Sequence, residues 1–136
     1  VNFNILGLYK EEPKWNFDLN NEIMKSKIAL NLSRGLPAKY YSSNRIATLM
    51  GNGCLTAIDE KVQYGHFFNK NEILVYKNPK DLIKKIINIK DNPKLIKKIS
   101  KNGRKKYFRI FSNVLISQFL IDKTFGFKNK YKYIWS

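Results

Sequence analysis

Short apolar runs alternating with helix-like segments constrain this chain more than any other feature. Val1–Tyr9 (VNFNILGLY), Ile28–Leu32 (IALNL), Cys54–Ile58 (CLTAI) and Glu72–Tyr76 (EILVY) each read as a strand. The second and third are continuous apolar runs, the pattern of strands covered on both faces. Between them, Asn20–Ser26 reads as a short helix capped by Asn20 or Asn21. Trp15 and Phe17 read as anchors of the loop before it. Ser42–Met50 reads as a further helix, with Ile46, Leu49 and Met50 at helical spacing and Gly51-Asn52-Gly53 as its stop. This alternation argues for a parallel sheet with helices on its faces.

From Asn78 onward the pattern is helical. Asn78-Pro79 opens one helix, with Leu82, Ile83, Ile86, Ile87 and Ile89 expected inward. Asn92-Pro93 opens the next, with Leu95, Ile96, Ile99, Tyr107 and Ile110 inward. Gly103 within it marks a bend or a close approach. Ser112 caps a third helix, Asn113–Phe125, closed by Gly126. The last residues, FKNKYKYIWS, show no periodicity and read as a tail or docking strap. The fold class expected is α/β: a Rossmann-like parallel sheet of about four strands, flanking helices and a helical C-terminal third. With 136 residues there is length for about one domain, read as residues 1–126 followed by a tail over 127–136.

Charge divides unevenly. Of 26 basic and 10 acidic side chains, residues 69–136 hold 18 basic and 4 acidic, and residues 1–68 hold 8 and 6. In the second half the basic residues are all lysine except Arg104 and Arg109. Lysine is a flexible point charge, whereas bidentate phosphate or base recognition favours arginine. The lysine run therefore reads first as solvated helix faces. Cys54 is the only cysteine, which excludes a disulfide framework and a cysteine-based zinc site. No apolar run approaches the ~18 residues that a spanning helix needs, and no signal-peptide pattern opens the chain. The location expected is cytoplasmic, with peripheral contact at the inner face of the membrane as the furthest departure. The chain opens on Val rather than Met, which suggests a piece of a longer protein.

Ligands in open parallel sheets bind beyond the carboxyl ends of strands, near helix N-termini. The segments that matter are then Ser33–Arg45 and Asp59–Asn71. Ser43 and Asn44 can cap the helix that starts there, and its free N–H groups can hold a phosphate. Arg34 and Arg45, two of the four arginines, flank this turn and can each grip an anion bidentately. Thr48 lies one turn further on and can donate a hydrogen bond to a hydroxyl. His66, the only histidine, has no acidic neighbour in sequence and reads as a packing or surface residue. Asp59 and Glu60 are adjacent at a strand end, where successive side chains face opposite ways, so they make a poor acid–base pair.

NLSRG, then YYSSNRIATLMGNGCLTAIDE, then EILVYKNPKDLIKKI resembles the C-terminal lobe of group 1 glycosyltransferases with the GT-B fold, closest to the CgeB-like branch. Arg45, Gly53, Leu55–Ile58, Glu72–Tyr76 and Asn78–Leu82 fit that pattern in order, and the resemblance covers residues 1–126. It implies a lobe that binds a nucleotide-diphosphate sugar and, with a second lobe, transfers the sugar to a glycan, lipid or protein acceptor. It implies no bound metal and no cofactor beyond the donor substrate. Arg34, Ser43, Asn44, Arg45 and Thr48 would face the donor, and no catalytic residue is assigned. Many members carry two glutamates around this helix; Tyr40 and Thr48 stand at those positions here. The full lobe has the strand order 3-2-1-4-5-6, in which the four runs of this chain would be the third to sixth strands. The missing N-terminal acceptor lobe implies that this chain alone binds rather than turns over substrate. The competing reading is a basic α/β module that binds nucleic acid or an anionic membrane without catalysis. For nucleic acid, no recognisable DNA- or RNA-binding motif supports it.

Overall fold

The computed structural model describes residues 4–5, 12–33, 35–41 and 43–135. The Val1–Tyr9 run lies outside the described residues apart from Asn4 and Ile5, which carry no regular secondary structure. Among the described residues three strands form one parallel sheet: β1 (Ile28–Asn31), β2 (Leu55–Asp59) and β3 (Leu74–Tyr76), in that spatial order. Ile28 stands opposite Leu55 and Asn31 opposite Ile58; Ala57 stands opposite Leu74 and Asp59 opposite Tyr76. The helices are α1 (Asn16–Lys25), α2 (Asn44–Gly51), α3 (Pro79–Ile89), α4 (Pro93–Phe111) and α5 (Asn113–Thr124). Neighbouring strands follow one another in sequence, as the fourth to sixth strands of the expected lobe do. The fold is α/β with a Rossmann-like parallel sheet.

Each strand face has its own cover, which is why the strands read as unbroken apolar runs. Leu55, Ala57, Leu74 and Tyr76 turn to one face with Ile28 and Leu30, and meet Leu82, Ile89, Ile96 and Ile99. Ile58 and Val75 turn to the other and join Ile46, Met50, Phe68, Ile73 and Ile110. Leu55 and Ile58 are fully buried, and each such side chain contributes about 1.5–3 kcal/mol.

The Asn-Pro signals work as read. Asn78 Oδ1 accepts from the Asp81 N–H at 2.9 Å, and Asn92 Oδ1 from the Leu95 N–H at 2.9 Å, with proline in the first turn of each helix. Three expectations need correcting. The first helix starts at Asn16, with Trp15 at the cap position and no side-chain cap. Packing of Leu19 and Ile23 against Leu49 and Cys54 holds it there. Asn20 is spent on a tertiary bond, accepting from Asn52 Nδ2 at 3.1 Å. Among the described residues Trp15 and Phe17 anchor nothing, being 72% and 74% exposed. On α3, Ile83 and Ile87 face outward, because only the arc bearing Leu82 and Ile89 meets the sheet.

α4 ties the two layers together. Its 19 residues span about 28 Å at 1.5 Å per residue. Ile96 and Ile99 pack on the first face, and Ile110 with Tyr107 and Phe111 on the second. The helix runs unbroken through Gly103, which is a close approach and not a bend. A Cβ on Gly103 would overlap the Glu72 carbonyl oxygen and come within 3.1 Å of Met50 Cε. Around it, Arg104 Nε donates to the Gly51 carbonyl at 2.8 Å and Lys106 Nζ pairs with Glu72 Oε2 at 2.9 Å. Burial pushes the Glu72 carboxyl up, but the Asn69 N–H and the Lys106 ammonium outweigh it and hold the group below the usual carboxylate range.

Alanine in a helix interior ordinarily gains about 1 kcal/mol over glycine. At Gly103 the overlap reverses the sign. Gly103→Ala should lower stability by about 1–3 kcal/mol, read as a fall in the urea midpoint. A raised midpoint would contradict the crossing described above.

Candidate functional site

Two loops leave the carboxyl ends of β1 and β2, and the structure fastens them to each other. The Tyr40 N–H donates to the Val62 carbonyl at 2.8 Å. Tyr40 Oη and His66 Nδ1 share a hydrogen bond of 2.7 Å, and the Tyr40 ring packs on Phe67 with centroids 5.0 Å apart. Tyr40 and Gln63 hold left-handed backbone, φ +58° and +60°, a conformation non-glycine residues rarely adopt. Such strain persists where surrounding contacts over-determine it, and it gathers at functional sites. His66 therefore has a partner that sequence reasoning missed. Nothing in the sequence pairs two residues on separate loops 26 positions apart.

α2 begins at the same end of the sheet. Ser43, half-buried, caps it: its Oγ accepts from the Arg45 N–H at 3.3 Å. Asn44 is exposed, and its carbonyl accepts from Thr48 Oγ1 at 3.2 Å. The Thr48 proton is thus used inside the helix, which leaves its oxygen able to act only as a further acceptor. Arg45 is exposed and reaches back over the end of β1, Nη1 donating to the Leu32 carbonyl at 2.7 Å. No described carboxylate pairs with it. Ser43, Asn44, Arg45 and Thr48 are brought together here; Arg34 lies outside the described residues.

The electrostatics of this helix start differ from those of α1 and α3, which carry Asp18 and Asp81 in the first turn, the favourable sign for an N-terminus. α2, like α4 and α5, has no acid there, and it places Arg45 in that turn. A cation at a helix N-terminus costs about 0.3–1 kcal/mol, so helix dipole and guanidinium together form an uncompensated positive spot. Beside it, Asn31 ends β1 at 5% exposure, and its Oδ1 has no hydrogen-bond donor among the described residues. A buried acceptor left so costs about 1–3 kcal/mol.

The remaining candidates are structural. Asp59 Oδ1 accepts from the Lys61 N–H at 2.8 Å and caps a 3-10 turn that contains Glu60. Cys54 is buried, its Sγ donates to the Ser26 carbonyl at 3.3 Å, and burial pushes its thiol up to about 11. Among the described residues no three His, Cys, Asp or Glu side chains gather as a metal would require. A shallow hollow beside α1, lined by Pro13, Trp15, Asp18 and Glu22, contains none of the site residues.

Tyr40→Phe removes the Oη–His66 bond and leaves the ring packing. It should cost at most about 1 kcal/mol, given the bond's exposure, and should move the ring-proton resonances of the chain's single histidine. Unchanged His66 resonances would show that the Tyr40–His66 bond does not form in solution.

The chain was compared with known proteins. A family model described as glycosyl transferase-like matches residues 1–122. No curated protein and no solved structure matches the chain. The match spans nearly the whole chain and takes in the sheet, the α2 start and α4, so the chain belongs to the glycosyl transferase-like family.

Proposed function

We propose that this chain is the donor-binding part of a glycosyltransferase, holding a nucleotide-diphosphate sugar at the carboxyl ends of β1 and β2. The observation that carries this reading is the uncompensated positive spot at the start of α2. Arg45 adds a cation where the helix dipole is already positive, and no described acid offsets it. A diphosphate supplies the missing charge, and its oxygens suit both backbone N–H groups and a guanidinium. In the reaction, an acceptor oxygen replaces the diphosphate oxygen on the anomeric carbon, the carbon–diphosphate bond breaking and the acceptor hydroxyl's proton passing to solvent or to the departing diphosphate. Negative charge then builds on the leaving diphosphate, where Arg45 and the helix start stabilise it.

Ser43 caps the helix start, and Asn44, its first residue, is exposed toward the same anion. Arg34 is assigned to the same anion from its place in the sequence alone. Thr48 offers its oxygen to a donor hydroxyl, since its proton is engaged. The resemblance to a GT-B C-terminal lobe assigns the acceptor, a glycan, lipid or protein, to a separate lobe. The chain by itself binds donor without turnover, and no metal or cofactor enters the proposal.

Calorimetry with a panel of nucleoside diphosphates is the test. At least one should bind, and Arg45→Ala should weaken it about tenfold or more, equivalent to ~1.4 kcal/mol, with an unchanged circular dichroism spectrum. No binding across the panel, or binding indifferent to Arg45→Ala, would contradict the proposal.

A further inference from the structure

α5 is built inside out. Its inward arc carries Leu115, Gln118, Phe119 and Asp122, and Asp122 is only 2% exposed. That carboxylate accepts from Gln118 Nε2 at 2.8 Å, from the Lys130 N–H at 2.9 Å and from Tyr133 Oη at 3.2 Å. These bonds fold residues 127–135 back as a strap, with Trp135 stacked on Phe111 at 5.3 Å. Two polar side chains of the helix, Gln118 and Asp122, are turned inside, while Asn113, Ser117, Lys123 and Thr124 are exposed. Several apolar ones face out: Val114, Leu120 and Ile121 are 65%, 58% and 45% exposed, and Phe125 and Phe127 just beyond are 68% and 59%. The two phenylalanine rings stack on each other at 5.7 Å. An apolar face of this extent on a soluble chain marks a contact surface.

We infer that this face docks onto an anionic lipid surface, with the phenylalanines at the headgroup boundary. Charge selects this occupant. Lys123, Lys128, Lys130 and Lys132 are all exposed around the patch. The one acid of residues 113–136 is Asp122, which is buried and fully engaged. A second copy docking face to face would set lysines against lysines. A membrane carrying anionic lipid offers apolar depth and negative charge together. The proposal moves membrane contact from the lysine-rich helices in general to one face of α5 and the start of the strap. It stands independently of donor binding, because no residue is shared with the α2 site.

Co-sedimentation of the full 136-residue chain with vesicles tests it. Phosphatidylcholine vesicles containing about one-third phosphatidylglycerol should pellet the protein about tenfold more strongly than pure phosphatidylcholine. The preference should fade in ~1 M salt, where the Debye length is about 3 Å. Phe125→Ser with Phe127→Ser, both exposed and foldable, should reduce pelleting about tenfold, and reversal of Lys123, Lys128 and Lys132 to Glu should abolish it. Ile83→Ser with Ile87→Ser, on the outer face of α3, should change nothing. The proposal is overturned by no pelleting, by equal pelleting with neutral vesicles, by loss in the α3 variant instead, or by a dimer that Phe125→Ser with Phe127→Ser dissolves.

Discussion

Where α4 passes the turn leading into β3, helix and turn backbones lie so close that position 103 has no room for a side chain. This contact lets one helix cover both faces of a three-stranded sheet. Without it, Ile96 and Ile99 could not lie on one face while Ile110 lies on the other. The Lys106–Glu72 ion pair and the Arg104–Gly51 bond sit within a turn of Gly103 and fix the depth of the passage. The second bond reaches the C-terminal end of α2, so the same crossing holds the helix whose other end carries Arg45. The charge at the site and the glycine in a distant helix are linked through about two turns of α2.

The site itself follows from sheet geometry. Parallel strands direct the loops after β1 and β2 to one edge, and α2 returns its positive end to that edge. Tyr40 then joins the loops through backbone, phenol and ring at once. What is distinctive is the balance of charge. Tyr40 and Thr48 stand where the resemblance leads one to expect glutamates, and no described carboxylate pairs with Arg45. The site is therefore more cationic than the resemblance alone implies, although it lies in the half of the chain with nearly balanced charge. The many lysines belong elsewhere: Lys94, Lys97, Lys98, Lys101 and Lys105 line the solvent side of α4.

Much of this was legible in the sequence, for identifiable physical reasons. Continuous apolar runs located β1 to β3 because double coverage leaves no polar face. Asn-Pro located α3 and α4 because capping is local chemistry. Ser43, Ser112 and Gly53 were readable for the same reason. Features set by tertiary contact were not. α1 starts early because Leu19 and Ile23 find partners on α2 and before β2, which no cap signals. The Tyr40–His66 bond joins two loops through strained backbone. The orientation of α5 was hidden because its apolar residues lie on every side of the helix, and only the strap that binds Asp122 decides which side turns inward. The run Val1–Tyr9 lies outside the described residues, apart from Asn4 and Ile5, and Arg34 lies outside them too, so their assignments rest on sequence alone.

The central claim is that the edge formed by α2 and the ends of β1 and β2 receives a nucleoside diphosphate. Amide chemical-shift mapping of the ¹⁵N-labelled chain, titrated with a nucleoside diphosphate that calorimetry shows to bind, addresses it residue by residue. The account predicts shifts concentrated at Leu32, Ser43 to Ile46 and the loop from Asp59 to His66, with α3 and α5 unmoved. Shifts spread over the lysines of α4, or gathered along α1, would contradict it.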